Sequence, residues 1–302
     1  MENDRLPYIS VIITAYNRKE FLLNAIKSAI NQTLDKKYYE IIVIKNFEDK
    51  NIDEFIDNHN IQKIFIDGTM GEFIYSGLTK SSGQIVSFLD DDDLFSDDKL
   101  EIVYNKFKSN NNLCYYHNSN IPLNNKYQEL YITSNPAIGI NKSSISVKKS
   151  ILNMNNLKRI DFCDDEYMYL SALESDKDIN ADKEKLTYNM LHNSTTNINT
   201  ENIREFIRFK LIINEQVIKN FMIFKEIFIS NKANNYVKKA IMFLEIYSYI
   251  YGNNVKPRNL LDIVKNRDVI FSKIFIAYIL VRIHPNFRYI VIKKLMNNDK
   301  KI

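Results

Sequence analysis

The sequence of 302 residues predicts an α/β protein with a doubly wound sheet flanked by helices, followed by an α-helical C-terminal region. Two observations predict this fold class. Short β-branched runs alternate with helical patterns between residues 8 and 107, an order typical of strands joined by right-handed crossover helices. From residue 201 onward, apolar residues recur at helical spacing almost throughout. We therefore expect a first domain over residues 1–200 and a second, helical domain over residues 201–302.

The N-terminal segment has the clearest alternation of strands and helices. A β-branched run at 8–14 predicts a strand that is buried on both faces. Asn17, with Glu20 three residues further on, predicts the N-cap of the next helix, whose apolar residues share one face. The other elements expected in this segment are strands at 39–44 and 63–66 and a short helix around residues 53–56.

The strand expected at 84–89 leads directly into a run of aspartates. A helix over 73–82 precedes this strand, and a second helix is expected around residues 100–107. Ligand sites of open α/β sheets lie beyond the carboxyl ends of the strands. A ligand is therefore expected at the four aspartates Asp90, Asp91, Asp92 and Asp93.

The four aspartates predict a metal site. Adjacent carboxylates repel one another and need a cation or solvent nearby. Their hard oxygens suit Mg²⁺ or Mn²⁺, which take one or two protein carboxylates together with water and substrate phosphates. The alternatives are a solvated acidic loop and a set of acids at a helix N-terminus. The position directly after a buried strand favours the metal site.

Composition excludes several classes of protein. With 45% hydrophobic and 26% charged residues, and only 6 Gly and 5 Pro, the chain is typical of a packed globular protein and not of a disordered one. Cys114 and Cys163 are far apart and lack the spacing of a disulfide framework or a structural zinc site, so we expect a reducing, cytoplasmic compartment. Residues 1–6 lack an export signal, and the apolar run at 274–281 is shorter than the roughly 18 residues of a membrane span.

Charge is distributed unevenly along the chain. Residues 1–200 carry 22 Lys and Arg against 29 Asp and Glu, whereas residues 201–302 carry 19 against 8. The basic segment could face anionic lipid, at the inner face of the cell membrane, or nucleic acid. It could equally pack with its lysines in solvent. No motif supports nucleic-acid binding, so we expect none.

Four segments that follow one another in a characteristic order and spacing are Ile9–Asn17, Ala25–Thr33, Glu40–Ile44 and Gly83–Asp93. Together they resemble glycosyltransferase family 2, whose GT-A fold has a doubly wound mixed sheet. The resemblance covers roughly residues 7–200. It implies a metal-dependent inverting transferase that moves a sugar from a nucleoside diphosphate sugar, with UDP-sugar the first expectation. The acceptor would be a hydroxyl of a glycan, a polysaccharide or a lipid-linked molecule.

The resemblance also implies roles for residues at the ends of the first, second and fourth strands. Asp90 and Asp92 match the family's Asp-x-Asp motif, with Asp92 as the first metal ligand, and Asp93 would bind metal or support the loop. The donor-binding residues that the resemblance implies are Ala15, Tyr16, Asn17, Asn46, Asp90 and Asp91.

Two later segments match further family motifs. Asp164 and Asp165 resemble the acidic pair that opens a helix, which implies Asp165 as the catalytic base that takes the proton of the acceptor hydroxyl. His192 resembles the family's histidine that approaches the donor diphosphate. Without the resemblance, the two acids could simply charge a helix N-terminus.

Two segments depart from the family pattern. Lys45 and Asn46 stand where the family usually has two aspartates, and a lysine cannot accept a hydrogen bond. Phe73, Ile74 and Tyr75 stand near the family's Ala-Arg-Asn helix start. The alternative to the enzyme is therefore a non-catalytic sugar- or nucleotide-binding protein of the same fold. A nucleotidyltransferase is a further option, although no Gly-rich phosphate loop follows the first strand.

Overall fold

The computed structural model describes residues 7–122, 141–189, 200–252 and 272–299. The chain divides into two compact units, Met1–Met190 and Leu191–Ile302. Within the described residues, the first unit contains a sheet with helices, and the second contains helices alone.

In the described part of the first unit, eight strands form one mixed sheet. These are β1 (Ile9–Ala15), β2 (Tyr39–Lys45), β3 (Gln62–Phe65), β4 (Ile85–Asp90), β5 (Asp93–Phe95), β6 (Leu113–Pro122), β7 (Ile145–Lys148) and β8 (Asp178–Asn189). Their order in the sheet is β3-β2-β1-β4-β7-β6-β8-β5. The first four strands of that order run parallel, β7 is antiparallel to both β4 and β6, and β8 is parallel to β6 and antiparallel to β5.

Helices cover both faces of the parallel strands. The helices of this unit are α1 (Leu22–Ile30), α2 (Lys50–Asn58), α3 (Met70–Lys80), α4 (Lys99–Ser109), α5 (Met154–Leu157) and α6 (Asp164–Glu174). Helices α1 and α4 share a core with Val11 and Val43, whereas α3 brings Gly77 against Ile12 and Ile44. Successive strand residues point to opposite faces, so both faces are buried, as the β-branched runs predicted. This architecture confirms the predicted doubly wound mixed sheet.

Asn17 does not cap α1, so that prediction was wrong. The N-cap residue of α1 is Phe21, whose side chain makes no capping hydrogen bond. Asn17 has a φ of 55°, in the left-handed region that asparagine tolerates better than most residues, and its side chain pairs with Asn46 instead. The structure places a capping box at α3, where Thr69 and Glu72 satisfy each other's backbone N–H groups.

Strand β8 has little local signal in the sequence. Its first eight residues are exposed or half-buried and show no apolar alternation. Pairing with β6 on one side and β5 on the other determines its position, rather than its composition. The pairing with β5 brings Asn189 opposite Asp93, at the end of the acidic run.

The second unit confirms the predicted helical region. Its described helices are α7 (Ile203–Ile227), α8 (Asn231–Ile250), α9 (Lys273–Ile283) and α10 (Phe287–Asp299). Asn202, Ser230 and Ser272 cap the first three of these by accepting backbone N–H bonds. Phe206 of α7 and Tyr278 of α9 lie in one buried cluster with residues of α8 and α10. None of the helices in the described ranges has the length and apolar character needed to cross a bilayer.

Candidate active site

The site lies at the carboxyl edge of the parallel strands. Strands β1, β2 and β4 are neighbours in the sheet, and their last residues are Ala15, Lys45 and Asp90. Ala15 pairs with Lys45, and Asp90 pairs with Thr14 one residue earlier in β1. The turns that follow these strands therefore meet at one edge, which is where open α/β sheets bind ligands. This arrangement brings the expected donor-binding residues of all three turns together.

Arg18 neutralises part of the acidic run. Its Nε donates to Asp91 Oδ2 at 2.7 Å and its Nη2 to Asp91 Oδ1 at 2.6 Å, a bidentate pair. The same Nη2 lies 2.7 Å from Asp92 Oδ2. The hydrogen bond with Asp91 is the largest cause that raises the pKa of Arg18 above its ordinary value. The repulsion among the aspartates is thus partly relieved by the chain itself, and Asp91 serves to hold Arg18.

Asp93 is enclosed rather than presented to a ligand. Its carboxylate accepts from Asn189 Nδ2 at 2.9 Å and from Asn141 Nδ2 at 3.4 Å. Burial, and then the charges of Asp90 and Asp92, raise the pKa of Asp93 to about 7. Of the two roles expected for Asp93, this environment favours support of the loop over binding of a metal.

Lys142 connects the acidic run to the second acidic motif. It begins a short 3-10 turn, Lys142–Ser144, and its side chain is only 7% exposed. Its ammonium lies 2.7 Å from Asp90 Oδ1 and 3.3 Å from Asp164 Oδ2. Burial alone would lower the pKa of Lys142, but the charges of Asp164 and Asp90 outweigh it and hold the pKa above its ordinary value. One buried cation therefore joins the end of β4 to the start of α6.

Asp165 is the second residue of α6. It is half-buried, and its Oδ1 accepts the backbone N–H of Glu166 at 3.0 Å. Among the described residues, no cation forms an ion pair with it. Burial raises the pKa of its neighbour Asp164 to about 6 and raises that of Glu166 well above the ordinary value. Lys142 thus pairs with Asp164 and not with Asp165. It nevertheless holds the helix that carries Asp165 at the edge of the sheet.

The start of α6 has unusual backbone geometry. Cys163, the residue before the helix, has a φ of 65° in the left-handed region and is buried. A non-glycine residue costs roughly 1–2 kcal/mol in this conformation, so the surrounding structure must enforce it. The turn at Cys163 determines the direction in which α6, and with it Asp165, leaves the preceding loop.

The side of the site where the resemblance implies the nucleotide contains an aromatic ring and two amides. Tyr16 is 49% exposed and meets the ring of Phe73 edge-on, with 5.8 Å between centroids. The backbone N–H of Asn17 donates to Asn46 Oδ1, and Asn46 Nδ2 donates to Asn17 Oδ1, both at 2.8 Å. Ala15, just before them, is fully buried. The exposed parts of this side are thus one aromatic face and one amide pair.

Lys45 does not face the amide pair. Its side chain is buried, pairs with Asp53 Oδ1 at 3.0 Å and donates to the carbonyl of Phe47 at 2.5 Å. Its ammonium is therefore used to hold α2 beside β2. The departure from the family pattern at Lys45 thus has a structural role here, whereas Asn46 is paired with Asn17.

The carboxylates of Asp90 and Asp92 have the donor chemistry for Mg²⁺ or Mn²⁺. Across the described ranges, no group of three or more His, Cys, Asp or Glu side chains is arranged to hold a metal. Asp90 already faces Lys142, and Asp92 faces Arg18. The residues therefore fit an ion held by at most two protein carboxylates, with water and phosphate oxygens as its other ligands.

The contributors to the site that the sequence did not predict include Arg18, Lys142 and Asn189. Arg18 directly follows the expected Ala-Tyr-Asn turn, and that position was the available signal. No local sequence signal marks Lys142 or Asn189. Lys142 lies 52 positions from Asp90, and Asn189 lies 96 positions from Asp93. His192 lies outside the described residues.

Comparison with known proteins identifies the family. The profile of Glycosyl transferase family 2 matches residues 10–165, slightly more than half of the chain. A poly(ribitol-phosphate) β-N-acetylglucosaminyltransferase, TarP of Staphylococcus aureus, is 29% identical over 189 residues, which are 60% of this chain and 52% of TarP. An uncharacterized glycosyltransferase of Rickettsia bellii is 36% identical over 116 residues, 37% of this chain and 16% of that protein. The chain thus spans about half or less of these relatives.

The fold has a counterpart among solved structures. Residues 1-349 of S. aureus TarS in complex with UDP-GlcNAc align with a TM-score of 0.52 and 12% identity, covering 80% of this chain and 81% of that one. At this identity the likeness concerns the fold, which is the mixed sheet with flanking helices described above. With a family profile that covers more than half of its length, the chain belongs to glycosyl transferase family 2.

Proposed function

We propose that this protein is a metal-dependent inverting glycosyltransferase that uses a nucleoside diphosphate sugar, with a UDP-sugar as the first candidate. The observation that carries the proposal is the bridge from Asp90 through Lys142 to Asp164. It places the helix of Asp165 at the same sheet edge as the acidic run. The names of the relatives and the UDP-sugar complex of TarS support the proposal for the donor.

Asp165 is the proposed catalytic base. The acceptor hydroxyl attacks the anomeric carbon of the donor, its proton passes to the Asp165 carboxylate, and the bond from that carbon to the diphosphate breaks. A single in-line displacement inverts the configuration of the sugar. No cation forms an ion pair with Asp165 among the described residues, and its carboxylate forms hydrogen bonds with the backbone N–H and the side chain of Glu166.

The reaction also requires that the negative charge of the departing diphosphate be stabilised. Mg²⁺ or Mn²⁺ held by Asp90 and Asp92 would neutralise the charge that develops on it. Arg18 is 29% exposed in its side chain and lies against Asp92, so it supplies a further positive charge near the phosphates. We assign His192 to the same region on the family resemblance alone.

Recognition of the nucleotide rests on Tyr16, Asn17 and Asn46. The exposed ring of Tyr16 offers a face for a base or ribose, and the amide of Asn46 both donates and accepts hydrogen bonds. Beyond its two bonds to Asn17, the Asn46 amide has a second N–H and a second oxygen lone pair, which can pair with the O4 and N3 positions of uracil, and for this reason we put UDP first.

Nucleotide binding tests the donor site. Thermal unfolding of the wild type and of Asp92→Asn is recorded with UDP, GDP and CDP, with and without Mn²⁺. We expect a rise in melting temperature with UDP that requires Mn²⁺ and is lost in the variant, since a ligand of the folded state stabilises it. Glu54→Gln, on the exposed surface of α2, is the matched control and should respond as the wild type does. A rise in melting temperature that requires neither Mn²⁺ nor Asp92 would contradict the metal assignment.

A non-catalytic nucleotide-binding protein is the alternative. It is favoured by α3, where Phe73 and Ile74 are buried and the family's Arg-Asn pair has no counterpart. Transfer or hydrolysis of a donor sugar separates the two functions. Nucleotide binding without turnover on any donor would support the alternative.

The acceptor and the location complete the proposal. Names of the relatives point to a glycan or polymer acceptor, and TarP in particular is named for poly(ribitol-phosphate). For this chain we propose a glycan, polysaccharide or lipid-linked hydroxyl, reached from the cytoplasmic side of the cell membrane. Contact with an anionic membrane would then fall to the basic C-terminal helices.

A further inference from the structure

Six large apolar side chains are exposed where α9 and α10 meet. We name this surface the α9–α10 corner. Its most exposed member, Ile283, is 76% accessible, and even the least exposed, Phe287, is 40% accessible. The members are Ile276, Leu280, Ile283, Phe287, Tyr289 and Ile290. So many exposed apolar groups in two short helices indicate a surface that has a partner.

Helix α9 is apolar on two opposite sides. Tyr278 and Val281 lie buried in the second unit, whereas Leu280 and Ile283, each two residues further on, lie on the other side and are exposed. A helix that is hydrophobic all round is normally covered on all sides. With 11 residues it is too short to span a bilayer, which takes about 20. The exposed side is therefore suited to lie on an apolar medium rather than to cross it.

Most of the charged residues of α9 and α10 are basic. Residues 272–299 contain five Lys and Arg, and the one acid, Asp299, is the last residue of α10. Lys273, Lys293 and Lys294 are exposed and form no ion pair with a carboxylate of the described ranges. Two copies of this corner would bring like charges together, which disfavours a second copy as the partner. An apolar surface with anionic groups at its rim complements the corner.

The geometry points to the α9–α10 corner as a membrane-docking surface for an anionic bilayer. Ile283 and its apolar neighbours enter the region between headgroups and acyl chains, while Lys293 and Lys294 meet the anionic headgroups. The inference stands on the second unit alone and needs neither the donor site nor catalysis. It assigns the membrane contact to this corner and not to the general positive charge of residues 201–302.

Vesicle flotation of the full chain, without nucleotide or acceptor, tests the inference. The vesicles are phosphatidylcholine alone or with about 30% phosphatidylglycerol, at about 0.1 M and about 0.5 M salt. We expect binding to the anionic vesicles at low salt, about tenfold weaker for Ile283→Ser and about thirtyfold weaker for Lys293→Gln/Lys294→Gln. All changes are on the surface, and circular dichroism verifies that each variant is folded.

Matched controls distinguish the α9–α10 corner from a general loss of exposed apolar surface or positive charge. Ile229→Ser removes an isoleucine that is 78% exposed between α7 and α8. Lys225→Gln/Lys238→Gln removes the same charge from exposed positions of α7 and α8. Both controls should bind as the wild type does. Equal losses in controls and corner variants, absence of binding to anionic vesicles, or a dimer that Ile283→Ser dissociates without any lipid binding would each overturn the inference. A failed nucleotide response in the thermal assay would leave it unaffected.

Discussion

Replacing Lys142 with methionine tests whether its ammonium group holds the start of α6 to the end of β4. Methionine is of similar length and carries no charge. In the wild type the ammonium lies 2.7 Å from Asp90 and 3.3 Å from Asp164, and the Lys142 side chain is 7% exposed. The variant leaves two carboxylates near each other in a poorly hydrated place, without the cation between them.

The expected magnitude follows from the burial of the three groups. Removing one partner of a buried ion pair typically costs about 3–5 kcal/mol. Asp90 is 29% exposed and is partly screened by water, so we expect about 3 kcal/mol in the free energy of unfolding for Lys142→Met near pH 8. Such a loss is a large fraction of the stability of a typical domain.

The loss should depend on pH through Asp164. Burial raises the pKa of Asp164 from 3.8 to about 6, and Lys142 opposes a further rise. A carboxyl group whose pKa is higher in the folded state binds more protons there, so stability falls as pH rises from about 4 to the folded-state pKa and is level above it. Without Lys142 the folded-state pKa of Asp164 rises further, so stability continues to fall up to a higher pH. The deficit of Lys142→Met should therefore be smaller at about pH 5 than at about pH 8.

Urea unfolding at these two pH values measures the effect for the wild type, Lys142→Met, Asp164→Asn and the double variant. Asp164→Asn removes the buried charge that Lys142 compensates, so the double variant should regain most of the stability lost near pH 8. Lys183→Met, at an exposed position of β8, is the control and should change the free energy of unfolding by less than about 0.5 kcal/mol. A deficit that is the same at both pH values, or that the double variant does not reduce, would refute the reasoning.

Three further predictions concern the base, a buried histidine and a packed glycine. Asp165→Asn should lower transfer about 10²–10⁴-fold while the thermal shift with nucleotide persists, and loss of both together would argue against a base role. Burial lowers the pKa of His117 to about 4, so the wild type should lose about 3 kcal/mol as pH falls from about 6.5 to 4, and His117→Gln should flatten that part of the pH profile measured by urea unfolding. An unchanged profile would exclude His117 as the source. Gly71→Ala would put a Cβ 2.0 Å from the carbonyl oxygen of Leu157, so we expect the free energy of unfolding, measured with urea, to fall by about 3 kcal/mol, and an unchanged value would contradict this packing.

The parallel half of the fold was predictable from the sequence because its signals are local. Strands β1, β2 and β4 are short apolar runs that end in polar residues, and such runs indicate buried strands without reference to the rest of the chain. Local sequence also predicted Asp90–Asp93 at the carboxyl edge of the sheet, since the run begins at the last residue of β4. Strand β8 was not predictable in this way, because its position depends on pairing with β5 and β6.

The sequence by itself thus determined which acids stand at the edge of the sheet and that a helical region follows. Only the tertiary structure decided which cations neutralise the charges of those acids. Arg18 reaches Asp91 across 73 positions and Lys142 reaches Asp90 across 52, and no local pattern encodes contacts of that range. The turn at Asn17 was decided in the same way, because its amide pairs with Asn46 across 29 positions instead of capping the adjacent helix. Local periodicity specifies elements, whereas charge pairing in the site depends on which elements the fold brings side by side.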